Sequence, residues 1–84
     1  MDNKMKIGKY YLDLQHEKLG GGPFIVKVSY SNLIDNLFDE VICNVIAINN
    51  IRGDNTTVRR KIDDPYMVEV KVFYIDNLVI HISP

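Results

Sequence analysis

The chain has 84 residues, the size of one small domain, and its net charge is only -1. Hydrophobic residues make up 46% of the composition, which is enough to form a packed core and excludes a disordered tail. Because 10 basic residues are balanced by 11 acidic ones, no overall field draws the protein toward nucleic acid or an anionic membrane. We therefore expect a single β-rich domain over residues 1–84.

Residue usage predicts the fold class. Ile occurs 11 times and Val 9 times, whereas Ala occurs once. Since β-branched side chains favour the pleated sheet, we expect a mainly β protein at the margin of α+β. Its architecture would be a small antiparallel sheet or partly closed barrel of five to six strands. The same skew, with frequent Asn and Lys, fits an AT-rich genome such as that of a low-GC bacterium or its phage.

Period-two alternation predicts the first two strands. Residues 7–14 place Tyr10 on the inner face and Tyr11 on the outer face. Residues 24–30 alternate in the same way and leave Ile25 outside. The three consecutive glycines between them are followed by a strand and not by Lys-Ser or Lys-Thr, so they indicate a flexible connection and not a phosphate loop.

Helical spacing appears once, in the middle of the chain. Four apolar side chains gather on one side of a helix and predict one short helix near residues 32–38: Leu33, Ile34, Leu37 and Phe38. Residues 41–48 are then apolar on both faces apart from Asn44, which is typical of a strand covered on both sides. One short helix supplies little cover, so a homodimer is expected to provide more.

The last three strands are predicted over residues 56–62, 66–75 and 78–83. A two-residue loop between the final pair would set Val72 opposite His81. A three-residue loop would pair Tyr74 with Leu78, Val72 with Ile80 and Val70 with Ile82, and all six of these residues are apolar. The burial pattern therefore favours the three-residue loop, with a left-handed residue and a bulge at its end.

Catalytic and metal-binding patterns are weak. The single cysteine, Cys43, lies in an apolar strand and is expected to be a buried, inert thiol. His16 and His81 are far apart in the sequence and have no carboxylates at a diagnostic spacing. We expect no enzyme activity, no catalytic residues, no metal and no cofactor.

Localisation is predicted from the same absences. The first residues are charged and lack the apolar region of a signal peptide, and the longest near-apolar run has eight residues against the roughly 20 that a spanning helix needs. A lone thiol also fits a reducing compartment. We expect a cytoplasmic protein without a membrane partner.

The basic run Arg59, Arg60 and Lys61 suggests one possible function, since small β-barrels bind single-stranded nucleic acid with cations and aromatic rings. Nearby aspartates and the overall charge weigh against it. Clustered basic residues also protect an exposed edge strand from aggregation.

Elimination favours a non-enzymatic protein-binding module, such as a phage- or bacterium-encoded inhibitor, immunity factor or adaptor. Large side chains predicted to be exposed beside charged neighbours would serve as the partner-binding anchors: Tyr11, Ile25, Tyr66 and Phe73. The alternative is the single-stranded nucleic-acid binder that uses the basic run.

Overall fold

The computed structural model describes residues 4–16, 23–31, 40–53 and 56–83. Within them the chain forms seven strands and one helical turn: β1 (Tyr10–Asp13), α1 (Leu14–His16), β2 (Phe24–Ser31), β3 (Glu40–Ile48), β4 (Ile51–Arg52), β5 (Thr57–Lys61), β6 (Met67–Ile75) and β7 (Leu78–Ile82). None of the helical residues described forms a segment long and apolar enough to cross a membrane. The helix predicted near residues 32–38 lies outside the described residues.

Six of these strands close into an antiparallel barrel. The order around the ring is β2, β1, β6, β7, β4 and β3, and β3 pairs with β2 again. The additional strand β5 pairs with the first half of β3, on the edge that β4 uses further along. The mainly β prediction is confirmed, and the barrel is closed.

Strand β4 was not predicted, because its two residues lie in a segment that has the composition of a turn. Asn49 and Asn50 reverse the chain with positive φ angles of 55° and 64°. Asparagine tolerates this left-handed conformation better than most residues do. The reversal lets Ile51 pair with Ile48 on one side and with Leu78 on the other.

The described residues form two apolar cores because β1 and β2 are buried on both faces. The neighbouring residues Ile25 and Val26 are both fully buried, yet they belong to different clusters. The barrel core is built by five of the six ring strands and consists of Ile25, Ala47 and Val79, with Tyr10, Leu12, Ile46 and Val72 packed against them. The outer core takes side chains from β1, β2 and β3 and from segments that cover them: Met5, Tyr11, Phe24, Val26, Val28, Val41, Cys43, Val45, Ile62 and Met67.

Strand β3 is buried on one face and half-buried on the other along most of its length. Val41, Cys43 and Val45 lie in the outer core and are at most 2% exposed, whereas Ile42, Asn44 and Ile46 on the other face are half-buried. Ala47, beyond an irregularity in the pairing with β2, is fully buried in the barrel core. The homodimer that was expected to cover this strand stays a prediction.

The hairpin between β6 and β7 has the two-residue loop, so the predicted three-residue loop is wrong. Ile75 pairs with Leu78, and Val72 pairs with His81. Asp76, and not Asn77, takes the positive φ, at 52°. The prediction failed because it assumed that apolar residues on this hairpin turn inward together, whereas half of them lie on the outside of the barrel.

Candidate functional site

The outer face of the β6–β7 hairpin is apolar and exposed. Phe73 lies opposite Ile80, and Ile75 lies opposite Leu78, which in turn neighbours Ile51 of β4. Directly paired residues point to the same side of a sheet. With the two residues at the ends of the row, seven side chains form what we call the apolar face: Ile48, Ile51, Phe73, Ile75, Leu78, Ile80 and Ile82.

The apolar face is large for a protein of this size. Its seven side chains are each between 39% and 57% exposed. At roughly 150–200 Å² for each large side chain, half-exposure gives roughly 500–700 Å² of apolar surface. The largest apolar patch of a typical monomer is about 300–600 Å², and patches beyond a few hundred Å² mark interaction sites. The other half of the barrel's outside carries the outer core, so the apolar face is the half that the described residues leave uncovered.

A second exposed feature lies on the opposite face of β6. The hydroxyl groups of Tyr10 and Tyr74 are 3.3 Å apart, which is hydrogen-bonding distance. The Lys27 ammonium lies 5.5 Å from the centre of the Tyr10 ring, and the Arg52 guanidinium lies 5.1 Å from that of Tyr74. We call Lys27, Tyr10, Tyr74 and Arg52 the tyrosine row. It joins four strands through two cation–π contacts and one hydroxyl pair.

Strand pairing places the tyrosine row beside the barrel core, at the end of the barrel that faces solvent. Tyr10 packs against that core, and Lys27 is its direct partner on β2. Tyr74 pairs with Val79, and Arg52 pairs with Ala47, both fully buried in the same core. Burial raises the pKa of Tyr74, the Tyr10 hydroxyl raises it further, and Arg52 opposes the shift.

The four predicted partner-binding anchors do not come together. Tyr11 is 5% exposed and Ile25 is 0% exposed, so the expectation that these two side chains lie on the surface is wrong. Alternation along one strand does not indicate this burial, because β1 and β2 carry a core on each face. Tyr66 and Phe73 are exposed as predicted, at 44% and 51%, but only Phe73 belongs to the apolar face.

The basic run presents two exposed cations. Arg59 and Lys61 are exposed, whereas the Arg60 guanidinium turns inward and donates to Asp13 Oδ2 from Nε at 3.0 Å and from Nη2 at 2.7 Å. Its Nη1 donates to the carbonyl of Arg59 at 2.7 Å. Asp13 is 0% exposed, so this pair is buried at the carboxylate end. Arg60 is therefore occupied with holding β5 to β1.

Cys43 lies next to this ion pair and is fully buried. Burial raises the pKa of its thiol to about 11, with Arg60 lowering it and Asp13 raising it. A thiol with that pKa is almost entirely protonated near neutral pH, and the protonated form is a poor nucleophile. The expectation of a buried Cys43 is met.

Other titratable groups form no recognisable chemical site in the part of the chain that the structure describes. No three His, Cys, Asp or Glu residues among the described ones are placed to hold a metal ion. His81 pairs with Val72, and its Nδ1 is buried without a hydrogen-bond partner among the described residues. One depression of about 460 Å³ is lined by mixed charges and apolar side chains: Lys4, Tyr11, Asp63, Asp64, Pro65, Met67, Val68 and Glu69.

The sequence alone did not predict either surface, because both depend on which residues of different strands become neighbours. The apolar face depends on the register of the last hairpin, and the tyrosine row depends on contacts between strands far apart in the sequence. A signal for the apolar face was present, since the two-residue loop would have placed Phe73, Ile75, Leu78 and Ile80 on one side. Comparison of the chain with protein-family models, with curated proteins and with solved structures yields no match.

Proposed function

We propose that this chain is a non-enzymatic protein-binding module that contacts its partner through the apolar face. The observation that carries the proposal is the row of seven large apolar side chains on the uncovered side of the barrel. Exposed apolar surface costs about 25 cal/mol for each Å² that remains in water, so covering this face would stabilise a complex substantially. Phe73 sits in the middle of the row and is the natural anchor residue.

The size of the face favours a partner protein over an obligate second copy. A standard complex buries about 800 Å² on each partner, whereas obligate homodimers bury 2,000 Å² or more in total. The roughly 500–700 Å² of the apolar face, with a polar rim, fits the smaller class. Lys71 lies opposite Ile82 at one end of the face. The partner we propose therefore has an apolar centre and a carboxylate facing Lys71.

The size of the chain and its exposed apolar face also suggest which class of binding protein it is. A chain of 84 residues with one exposed contact face suits a small inhibitor, immunity factor or adaptor encoded by a low-GC bacterium or its phage. The unpaired and buried thiol of Cys43 is compatible with a reducing compartment, and we place the protein in the cytoplasm. The alternative, a nucleic-acid binder built on Arg59, Arg60 and Lys61, has less support because Arg60 is bound to Asp13.

The experiment compares Phe73→Glu with wild type in a pull-down from a low-GC bacterial extract, after nuclease treatment and at moderate salt. Captured proteins are identified by mass spectrometry, purified and titrated against each variant by calorimetry. Because Phe73 would be buried in the complex, we expect Phe73→Glu to weaken binding by at least tenfold. The matched control is Ile7→Glu, since Ile7 is 62% exposed and lies outside the apolar face.

Light scattering of the purified protein tests whether the apolar face binds a second copy of this chain. A dimer in wild type that Phe73→Glu converts to a monomer would assign the apolar face to self-association and overturn the proposal of a different partner. A captured protein that binds wild type and Phe73→Glu equally would overturn the role of this face. Circular dichroism of each variant verifies that the fold is intact.

A further inference from the structure

The tyrosine row combines two features that rarely occur together on a small protein. Energetically significant cation–π contacts occur about once in 70–80 residues. Here two of them lie side by side, joined where the Tyr10 and Tyr74 hydroxyls meet at 3.3 Å. The result is two adjacent units, each with one cation over one aromatic ring, and all four residues lie on strands of the barrel.

The two cations of the row are not neutralised within the described residues. Neither Lys27 nor Arg52 forms an ion pair with a carboxylate in that part of the chain. Three acidic residues, Asp63, Asp64 and Glu69, line the depression instead, and Asp76 lies in the hairpin turn. Charge is thus distributed unevenly although the protein as a whole is close to neutral, and the row is a local positive site with aromatic rings.

Single-stranded nucleic acids offer the complementary chemistry. Proteins bind them with cations that contact phosphates and aromatic side chains that stack on bases. The geometry points to the tyrosine row as a binding site for nucleoside phosphates, in which its two cation–tyrosine units take consecutive nucleotides of a single strand. A duplex keeps its bases stacked inside and cannot offer them to Tyr10 and Tyr74.

This site is independent of the apolar face. Phe73 and Tyr74 are neighbours on β6, so their side chains point to opposite faces of the strand. The site also differs from the basic run, because none of the four residues of the tyrosine row lies on β5. Loss of one surface by mutation therefore leaves the other in place, and the two binding activities can be tested separately.

The probe is a fluorescein-labelled ten-nucleotide oligothymidylate, followed by fluorescence anisotropy over a range of salt concentrations. Each phosphate contact to a single strand contributes about -0.7 to the slope of log K against log salt, so two cations predict a slope of about -1.4. The same sequence in a duplex is expected to bind at least tenfold more weakly. Thymidine monophosphate, followed by NMR shifts, separates binding of a free nucleotide from binding of a strand.

Three variants assign the contacts. Tyr74→Leu removes one stacking ring and is expected to weaken binding about 5- to 160-fold, whereas Tyr74→Phe keeps the ring and most of the affinity. Arg52→Gln is expected to reduce the slope to about -0.7. The matched control is Arg59→Gln, which removes the same charge from an exposed position on β5 and should leave both slope and affinity unchanged.

Four results would overturn the assignment. The first is no binding of the oligonucleotide at 20 mM salt, and the second is a larger loss of affinity for Arg59→Gln than for Arg52→Gln. The third is equal affinity of Tyr74→Leu and wild type for the oligonucleotide. The fourth is displacement of the labelled oligonucleotide by a ten-residue polyglutamate as readily as by unlabelled oligonucleotide. The last would mean that the row attracts any anion without using its rings. Equal affinity for thymidine monophosphate and the oligonucleotide would support a nucleotide site and reject the strand. Thermal melting verifies that each variant is folded.

Discussion

The Asp13 carboxylate and the Arg60 guanidinium form a buried ion pair although 47 residues separate them in the sequence. The pair joins β1, a strand of the barrel, to β5, which lies outside the ring. It closes the outer core next to Cys43. Arg60 shares its face of β5 with Val58, which packs against the same core, so the inward direction of Arg60 follows from strand parity.

Removal of the Arg60 guanidinium is expected to destabilise the fold strongly. Arg60→Met leaves the Asp13 carboxylate buried without its cation, which typically costs 3–5 kcal/mol of unfolding free energy. Arg60→Lys keeps the charge but loses the two-nitrogen geometry and should cost less. Urea denaturation of the three proteins measures the difference.

The double variant Asp13→Leu with Arg60→Met is the control for this ion pair. With neither charge buried, it should recover most of the stability that Arg60→Met loses. A double variant that is as unstable as the sum of two separate losses would show that the two side chains do not interact. The exposed Arg59→Met, on the same strand, should change stability by less than about 0.5 kcal/mol.

Alkaline pH is expected to destabilise the protein through Cys43. Its thiol pKa is about 11 in the fold against 9.0 for a free thiol, so the folded state holds a proton that the unfolded state releases. Stability is therefore unaffected below pH 9 and falls between pH 9 and 11, by about 1.4 kcal/mol per pH unit at most. Denaturation of wild type and Cys43→Ala over this range measures the effect as the difference between the two proteins, because Tyr11 and Tyr74, whose pKa values are also raised, contribute to both.

The turn between β6 and β7 offers a test of its register. Asp76 has a φ of 52°, so Asp76→Gly should raise the unfolding free energy by about 0.5–1 kcal/mol, because glycine adopts this conformation without steric cost. Asn77→Gly is the matched control and should lower it by a similar amount. The opposite pair of results would indicate the three-residue loop with a left-handed Asn77. Denaturant midpoints of the two variants decide between them.

Tyr11 should contribute through its hydroxyl as well as its ring. The Lys6 backbone N–H donates to the Tyr11 hydroxyl at 2.8 Å, so Tyr11→Phe leaves that N–H without its partner and should cost about 1 kcal/mol. Burial also raises the pKa of Tyr11 above 10.0. The absorbance of tyrosinate in an alkaline titration should therefore show a late step that is smaller in Tyr11→Phe, in which Tyr74 still has a raised pKa.

Local patterns in the sequence predicted most of the strands and their class. The alternation of residues 24–30 and the apolar run of residues 41–48 both correspond to strands, because period-two burial is a property of a few adjacent residues. The identity of the buried face was harder to predict. Ile25 and Tyr11 are buried because a second core covers the outside of β1 and β2, and that core depends on segments distant in the sequence.

The two proposed binding surfaces were harder to predict than the strands, because each surface combines residues that are distant in the sequence. Phe73 was predicted to be exposed, but the sequence did not indicate that Ile51 and Ile48 continue the same apolar face across β4. The tyrosine row was hidden for the same reason, since Tyr10 and Tyr74 are 64 residues apart. One sequence carries no direct record of which strands become neighbours.

Strand β4 has only two residues, so its pairing with β7 is the weakest strand contact of the ring. We call this contact the seam, and it affects both surfaces. Between β7 and β4 the ring closes through the single residue pair of Ile51 and Leu78, with the Arg52 and Val79 amides donating to carbonyls in the flanking turns. Ile51 belongs to the apolar face and Arg52 to the tyrosine row. A molecule bound to either surface would stabilise the pairing of β4 with β7 against local opening. The Arg52 and Val79 amides would then exchange their hydrogens more slowly, whichever surface is occupied.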